Sequence, residues 1–355
     1  MKIKRIWYLS VKLFLKISLQ FYTKKIIVNG KENIPKKGAV LFAINHPNAL
    51  MDPLFVTSNN TRENHFLVRA DVFKKPLVKK ILESLNLMPI FRIRDGRKQL
   101  SNNEEIFEKC YSILQKKETL IIFPQGGHCR DRTIQPLSKG FTRIVFGALE
   151  KHKNLSVTVI PVGVTYQNSS TFPCKVAVQY GTSINARQIF ENNSTTEAVV
   201  ILKNEVSKQL KTLSVHIPAD KNYAATLAKL NAANVDFTQV NVVNKMIIKN
   251  TFPEKVKKTT NYFTPLFYLI VANSIMPYLL WKKMSKTPGE IEFVDTFRFC
   301  VNTLSFPFFY FLQSVIVSLF FNNKLGGLYF MVSILLVFVY AKLAPTNTEV
   351  RLQNV

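Results

Sequence analysis

His46 and Asp52 stand in the run Asn45-His46-Pro47-Asn48-Ala49-Leu50-Met51-Asp52, a histidine with a carboxylate six positions on. Imidazole exchanges protons near neutral pH, and a carboxylate fixes its tautomer and stabilises the imidazolium that forms. The pair is the smallest kit for activating a hydroxyl. A second stretch, Pro89-Ile90-Phe91-Arg92-Ile93-Arg94-Asp95-Gly96, alternates so that Arg92 and Arg94 share one face of a strand. Two guanidinium forks on one face suit a phosphate, although a solvated edge strand has the same pattern. The third is Ile121-Ile122-Phe123-Pro124-Gln125-Gly126-Gly127-His128-Cys129-Arg130-Asp131-Arg132. Here Gly126 and Gly127 allow backbone N–H groups to converge on an anion, and Arg130 and Arg132 add charge. No Gly-Lys-Ser/Thr follows, so this is not a P-loop. His128 and Cys129 have no second pair at zinc spacing, and no metal is expected. In Val159–Val164 the proline, Pro161, predicts an edge or a bulge, because it cannot donate to a ladder.

These residues need a scaffold, and the spacing of apolar runs supplies one. Ala39–Ile44 is a buried strand bounded by Gly38, and it delivers His46 to its C-terminal end. In open α/β sheets that is the edge where ligands bind. Further strands are expected at Lys25–Val28, His65–Val68, Met88–Ile93, Thr119–Phe123, Ser156–Val164 and Lys175–Tyr180. Helices are expected at Leu50–Ser58, Pro76–Leu85, Asn102–Gln115, Gly140–Lys151 and Thr195–Leu213. Alternating strands and helices over residues 26–214 predict an α/β layered sheet with helices on both faces.

The 355 residues carry 48 Lys+Arg against 22 Asp+Glu, a formal net charge of +26. Such a chain favours an anionic partner, either nucleic acid or anionic lipid. The long apolar segments near the C-terminus decide for the membrane, since a nucleic-acid-binding protein has no use for them. Residues 1–25 combine an apolar face (Trp7, Val11, Phe14, Phe21) with Arg5, Lys12 and Lys16 on another, the pattern of a helix in the membrane interface. Residues 215–261 read as a basic linker or helical extension, and 262–345 as a membrane region. Spans are expected at 299–322 and 325–343, each long enough for a bilayer core of about 30 Å. The segment 262–281 is flanked by Lys255, Lys257 and Lys258 on one side and Lys282, Lys283 and Lys286 on the other. With Pro265 and Pro277 inside it, it reads as re-entrant or interfacial, leaving both chain ends cytoplasmic. The four cysteines form no C-x-x-C pair and suit a reducing compartment.

Taken in order, these blocks resemble the glycerol-3-phosphate and lysophosphatidate acyltransferase superfamily over roughly residues 25–215. The resemblance runs through Val28–Pro35, the His46/Asp52 block, Arg69–Pro76, Arg94, Phe123–Cys129 and Ile160–Gly163. The commonest spacing in the family has four residues between histidine and aspartate; the five between His46 and Asp52 look like the branch containing fungal-type glycerol-3-phosphate acyltransferases and bacterial relatives. The third block departs further, with Gln125 where the family has Glu and His128 where it has Arg.

The resemblance implies an integral membrane enzyme with its catalytic domain on the cytoplasmic face. His46 would act as general base and Asp52 as its orienter, moving a fatty acyl chain from an acyl thioester to glycerol-3-phosphate or lysophosphatidate on the route to phosphatidic acid. Arg92, Arg94, Gln125, Gly126, Gly127, Arg130 and Pro161 would bind substrate. No cofactor is implied beyond acyl-CoA or acyl carrier protein as donor, and the partner is a bilayer with anionic lipid. The alternatives are a lysophospholipid-remodelling acyltransferase and, because of Gln125, a catalytically weakened lipid-binding membrane protein.

Overall fold

Six consecutive apolar residues make a strand that has no solvent face, and the architecture follows from that. The computed structural model describes residues 2–91, 103–256, 259–286 and 289–348. In chain order the first part holds α1 (Lys2–Tyr22), β1 (Thr23–Asn29), β2 (Ala39–Ile44), α2 (Met51–Ser58), β3 (Asn64–Arg69), α3 (Pro76–Ser84) and β4 (Leu87–Ile90). Then come α4 (Asn103–Gln115), β5 (Thr119–Ile122), α5 (Gly140–Lys151), β6 (Val157–Tyr166), β7 (Cys174–Tyr180), β8 (Ile184–Asn185), α6 (Ala186–Glu191) and α7 (Thr195–Leu213). The last part is helical: α8 (Tyr223–Ala232), α9 (Val240–Lys249), α10 (Thr264–Asn273), α11 (Ile275–Met284), α12 (Phe293–Phe320) and α13 (Asn323–Leu343).

The strands form one mixed sheet in the order β1-β7-β6-β2-β5-β3-β4, with β8 added to β6. Pairing is parallel except where β6 meets β7 and β8. Alternation along β2 sends its side chains into two cores, one on each face of the sheet. Ala39, Leu41 and Ala43 face residues of α4, α5 and α7, while Val40, Phe42 and Ile44 face Leu19 and Tyr22 of α1 and Met51, Phe55 and Val56 of α2. Helices therefore cover both faces, as the alternating pattern predicts.

Pro161 does not lie at an edge or a bulge. β6 is an interior strand, and its register with β2 runs unbroken from Val157 to Val162, with Pro161 opposite Ala43. The proline is tolerated because β6 changes partners on its other side at this point. β8 pairs with Thr158 and Val159, and β7 takes over at Val162. The Pro161 carbonyl points to that side and accepts the Gly181 N–H at 2.8 Å. Its missing donor faces the gap between the two partners.

α1 is two-faced. Tyr8, Leu19 and Tyr22 are buried against the sheet layer, whereas Ile3, Ile6, Leu13, Phe14 and Ile17 are exposed. Lys12, expected at the headgroups, instead donates to the Arg62 carbonyl at 2.7 Å. Residues 215–249, within the stretch read as a basic linker or helical extension, hold α8 and α9 and are packed. Val215, Ile217, Leu230, Phe237, Val240 and Val243 form a third core against Ala177 and Ile27.

Two helices, α12 and α13, are long and apolar enough to cross a membrane, and α10 and α11 meet at a bend of 96°. The two spans approach closely where Gly326 faces α12, since a Cβ there would lie 1.9 Å from Ser318 Oγ. The bend itself is tied to both spans. Asn273 donates to Ser333 Oγ at 3.1 Å and accepts from the Gln313 amide at 3.2 Å through its carbonyl. Both outer ends of the bent pair lie on the side of the sheet. Asn261, just before α10, reaches Tyr340, three residues from the end of α13, and Lys342 donates to the Thr23 carbonyl at 2.8 Å. At the other end Trp281 lies under Arg298, which itself donates to the Ser170 carbonyl at 2.6 Å.

Candidate active site

The site is built where β2 ends. Asn45 is the first residue past the strand, and its side chain imitates a peptide. Nδ2 donates to the Val164 carbonyl at 3.0 Å while Oδ1 accepts the Val164 N–H at 2.7 Å. The β2–β6 ladder thus gains one more rung, and the next residue, His46, leaves the sheet from a fixed point.

His46 is fixed through its backbone and its ring. Its N–H donates to Gln125 Oε1 at 3.1 Å, and its carbonyl accepts the Cys129 N–H at 3.0 Å. The ring stacks on Phe123 at a centroid distance of 3.8 Å and 14° between planes, with His128 edge-on at 4.2 Å. Phe123 through Cys129 is therefore a clamp around the histidine. Gln125, named above as substrate-binding, thus has its Oε1 turned to the His46 backbone.

Between His46 and Asp52 the chain turns through Ala49, whose φ of 38° lies in the left-handed region that side chains avoid. The turn starts α2, and Asp52 falls in its first turn, where the helix dipole favours a negative charge. The Asp52 side chain is 0% exposed. Its Oδ2 lies 2.7 Å from His46 Nδ1 and accepts the Asn48 N–H at 2.8 Å. Its Oδ1 accepts the Tyr166 hydroxyl at 2.7 Å. With Nδ1 carrying the proton shared with the carboxylate, Nε2 is left with its lone pair. Burial, and then the Asp52 charge, push the Tyr166 hydroxyl well above the ordinary tyrosine range, so it serves as a donor.

His46, Gln125, Arg130, Tyr166 and Ser169 line one cleft of about 50 Å³. Arg130 is steered by Ser169 and Ser170, whose hydroxyls accept from its guanidinium at 2.6 and 2.7 Å. Arg132 is used structurally: it donates to the carbonyls of Tyr166 and Gln167 at 3.0 Å each and lies 3.5 Å over the Phe237 ring. Gly126, at φ 74°, makes the turn beside His46, and open space lies next to both Gly126 and Gly127. His46, Asp52, Gln125 and Arg130 are thus brought together. Pro161 sits within the sheet, outside the cleft lining, and Arg92 and Arg94 lie outside the described residues.

Sequence reasoning missed Tyr166, the paired hydrogen bonds of Asn45 with Val164 and the backbone contact of Asn48. It also missed the opening turns of α12. Phe293 packs edge-on against His128 at 5.2 Å, and Asp295 accepts from the Asn48 amide at 2.8 Å. The one available signal was the pair of charges, Asp295 and Arg298, at the mouth of an otherwise apolar segment.

The arrangement is a histidine–carboxylate pair beside a cleft with a fixed cation. Residues 25–165 match the family model described as Acyltransferase. Among curated proteins, 116 residues are 28% identical to glycerol-3-phosphate O-acyltransferase 1 of Saccharomyces cerevisiae, covering 31% of this chain and 15% of the yeast protein. A further 221-residue match is 22% identical to 1-acyl-sn-glycerol-3-phosphate acyltransferase of Borreliella burgdorferi, covering 59% of this chain and 82% of that protein. Among solved structures, the 1-acyl-sn-glycerophosphate acyltransferase PlsC of Thermotoga maritima aligns with a TM-score of 0.46 at 20% identity. That alignment covers 60% of this chain and 81% of the other.

Proposed function

We propose that this chain, which carries an acyltransferase domain at residues 25–165, is a membrane-anchored O-acyltransferase that acylates glycerol-3-phosphate or lysophosphatidate. The observation that carries this reading is the His46–Asp52 pair at 2.7 Å, opening on a cleft that holds Arg130. The names of the yeast and Borreliella relatives supply the acceptor class.

In this reading His46 Nε2 takes the proton of an acceptor hydroxyl as its oxygen attacks the carbonyl carbon of an acyl thioester. The C–O bond forms, the C–S bond breaks, and the imidazolium returns the proton to the departing sulfur. No acyl-enzyme is needed. Asp52 holds the ring and faces the imidazolium, and general-base work of this kind contributes ~10²–10⁴ in rate. Arg130 and the Gly126-Gly127 turn, joined by Arg92 and Arg94, receive the acceptor phosphate. Acyl-CoA or acyl carrier protein is the donor, and the catalytic domain faces the cytoplasm.

The test uses the full chain reconstituted in vesicles with acyl-CoA and either acceptor, reading thiol release and lipid product. Wild type is expected to turn over at least one acceptor, and His46→Ala to be inactive while still membrane-bound. Absence of transfer to both acceptors by the wild type, or substantial activity in His46→Ala, would overturn the reading.

A further inference from the structure

The family match ends at residue 165, yet a group from the far end of the chain reaches the catalytic loop. Asp295 lies in the first turn of α12, the helix that goes on to form the first membrane span, and is 3% exposed. Its Oδ2 accepts from Asn48 Nδ2 at 2.8 Å, and its Oδ1 accepts the hydroxyl of Tyr22 at the end of α1. Arg298, one turn on, lies 3.7 Å from Oδ1 and donates to the Ser170 carbonyl at 2.6 Å, beside the hydroxyls that steer Arg130. Asn48 in turn gives its backbone N–H to Asp52.

A buried carboxylate is costly unless its oxygens are filled. Here both are filled, and one of the donors is the loop that positions the catalytic aspartate. Hydrophobic anchoring alone does not need this group, because an apolar residue at 295 would anchor the span as well. The cost is explained if the carboxylate fixes Asn48.

We propose that Asp295 is a positioning residue of the acyltransferase site: from the membrane hairpin it holds Asn48, and through Asn48 the Asp52–His46 pair, so that the hairpin completes the catalytic loop as well as anchoring it. This rests on the acyl-transfer reading above. An Asn at 295 offers one acceptor oxygen where two donors now converge and an NH2 in place of the other, so the bond from Tyr22 or the one from Asn48 must be lost or reversed.

The experiment compares wild type with Asp295→Asn, Asn48→Asp and the double exchange, each full length in vesicles of phosphatidylethanolamine and phosphatidylglycerol. Two readouts are taken: steady-state acyl transfer, and the rate at which diethyl pyrocarbonate modifies His46, resolved by peptide mass spectrometry. Each single variant is expected to lose about 10- to 100-fold in turnover with acceptor KM nearly unchanged, and to expose His46 to faster modification. The double exchange restores a carboxylate–amide pair in reversed order, so both readouts are expected to move back toward wild type. Unchanged turnover and modification in Asp295→Asn would overturn the proposal. So would a double exchange no better than the worse single variant. A wild type without acyl transfer would sink the functional reading alone, and the modification rates would still decide whether Asp295 holds the loop.

Discussion

Tyr166 donates its hydroxyl to Oδ1 of Asp52 at 2.7 Å, from the last residue of a strand 114 positions away in the chain. That bond fills the side of the carboxylate that His46 leaves empty. Tyr166→Phe is expected to leave Oδ1 buried without a donor, at about 1–3 kcal/mol in stability. Turnover is expected to fall on the order of 10-fold, with the acceptor KM less affected. Thermal unfolding in detergent and steady-state kinetics check this. A variant with wild-type turnover would show that the His46 side of the carboxylate suffices.

Gln125 separates two roles that one residue could hold. Because its Oε1 accepts the His46 N–H, Gln125→Ala is expected to lower turnover by on the order of 10-fold through a looser histidine. Gln125→Glu keeps an acceptor in place and adds a negative charge beside the Gly126-Gly127 turn and Arg130, the proposed phosphate-binding side. Its expected effect is on acceptor KM, with turnover preserved. Equal losses of turnover in both variants would refute the backbone-clamp role.

The histidine, the aspartate and the succession of helices and strands along the chain were legible in the sequence because each signal is local. Six apolar residues after a glycine are a strand whatever surrounds them, and Asn45–Asp52 reads as one loop. Tyr166, Asn48 and Asp295 acquire their roles only through register: a tyrosine at a strand end and an aspartate before an apolar run look ordinary until the chain closes. Pro161 shows the converse. The rule about proline in strands predicted an edge, and the partner change from β8 to β7 supplied a place inside the sheet that the rule does not anticipate. In the same way, no motif in residues 215–249 announced the core formed by Val215, Phe237 and Val240.

His65 gives a pH signature independent of catalysis. Burial lowers its pKa from 6.5 to about 4, although Nε2 lies 2.9 Å from Glu118; desolvation of the imidazolium is the larger influence. The unfolded chain therefore binds a proton that the folded one refuses between about pH 6.5 and 4. The contribution is full above pH 6.5 and is lost as pH falls toward 4. His65→Gln is expected to flatten the decline in melting temperature between pH 7 and 5 relative to wild type. Parallel curves would contradict it.

The two spans meet at Gly326, where any Cβ must displace Ser318 and the Ser314 carbonyl. Gly326→Val is expected to push the helices apart at about 1–3 kcal/mol, read as a lower melting temperature in detergent. An unchanged melting temperature would place the contact elsewhere.

The bend between α10 and α11, with both outer ends on the catalytic-domain side, predicts a re-entrant segment. Single cysteines introduced at positions 289 and 322 in a cysteine-free background are expected to react with an impermeant maleimide from opposite sides of the membrane. Position 289 should label from the side of the catalytic domain. Labelling of position 289 from the side opposite the catalytic domain would mean that the segment crosses.

Asn48 and Asp295 are 247 residues apart in the chain. At roughly 5–20 residues per second of synthesis, the ribosome finishes the His46 loop about 12–50 s before residue 295 is made. If the hairpin completes that loop, the newborn catalytic domain remains idle throughout that interval. On the proposed reading, acyl transfer then begins only once the start of α12 has been made and has docked on the loop, so activity waits for the segment that carries the chain into the bilayer.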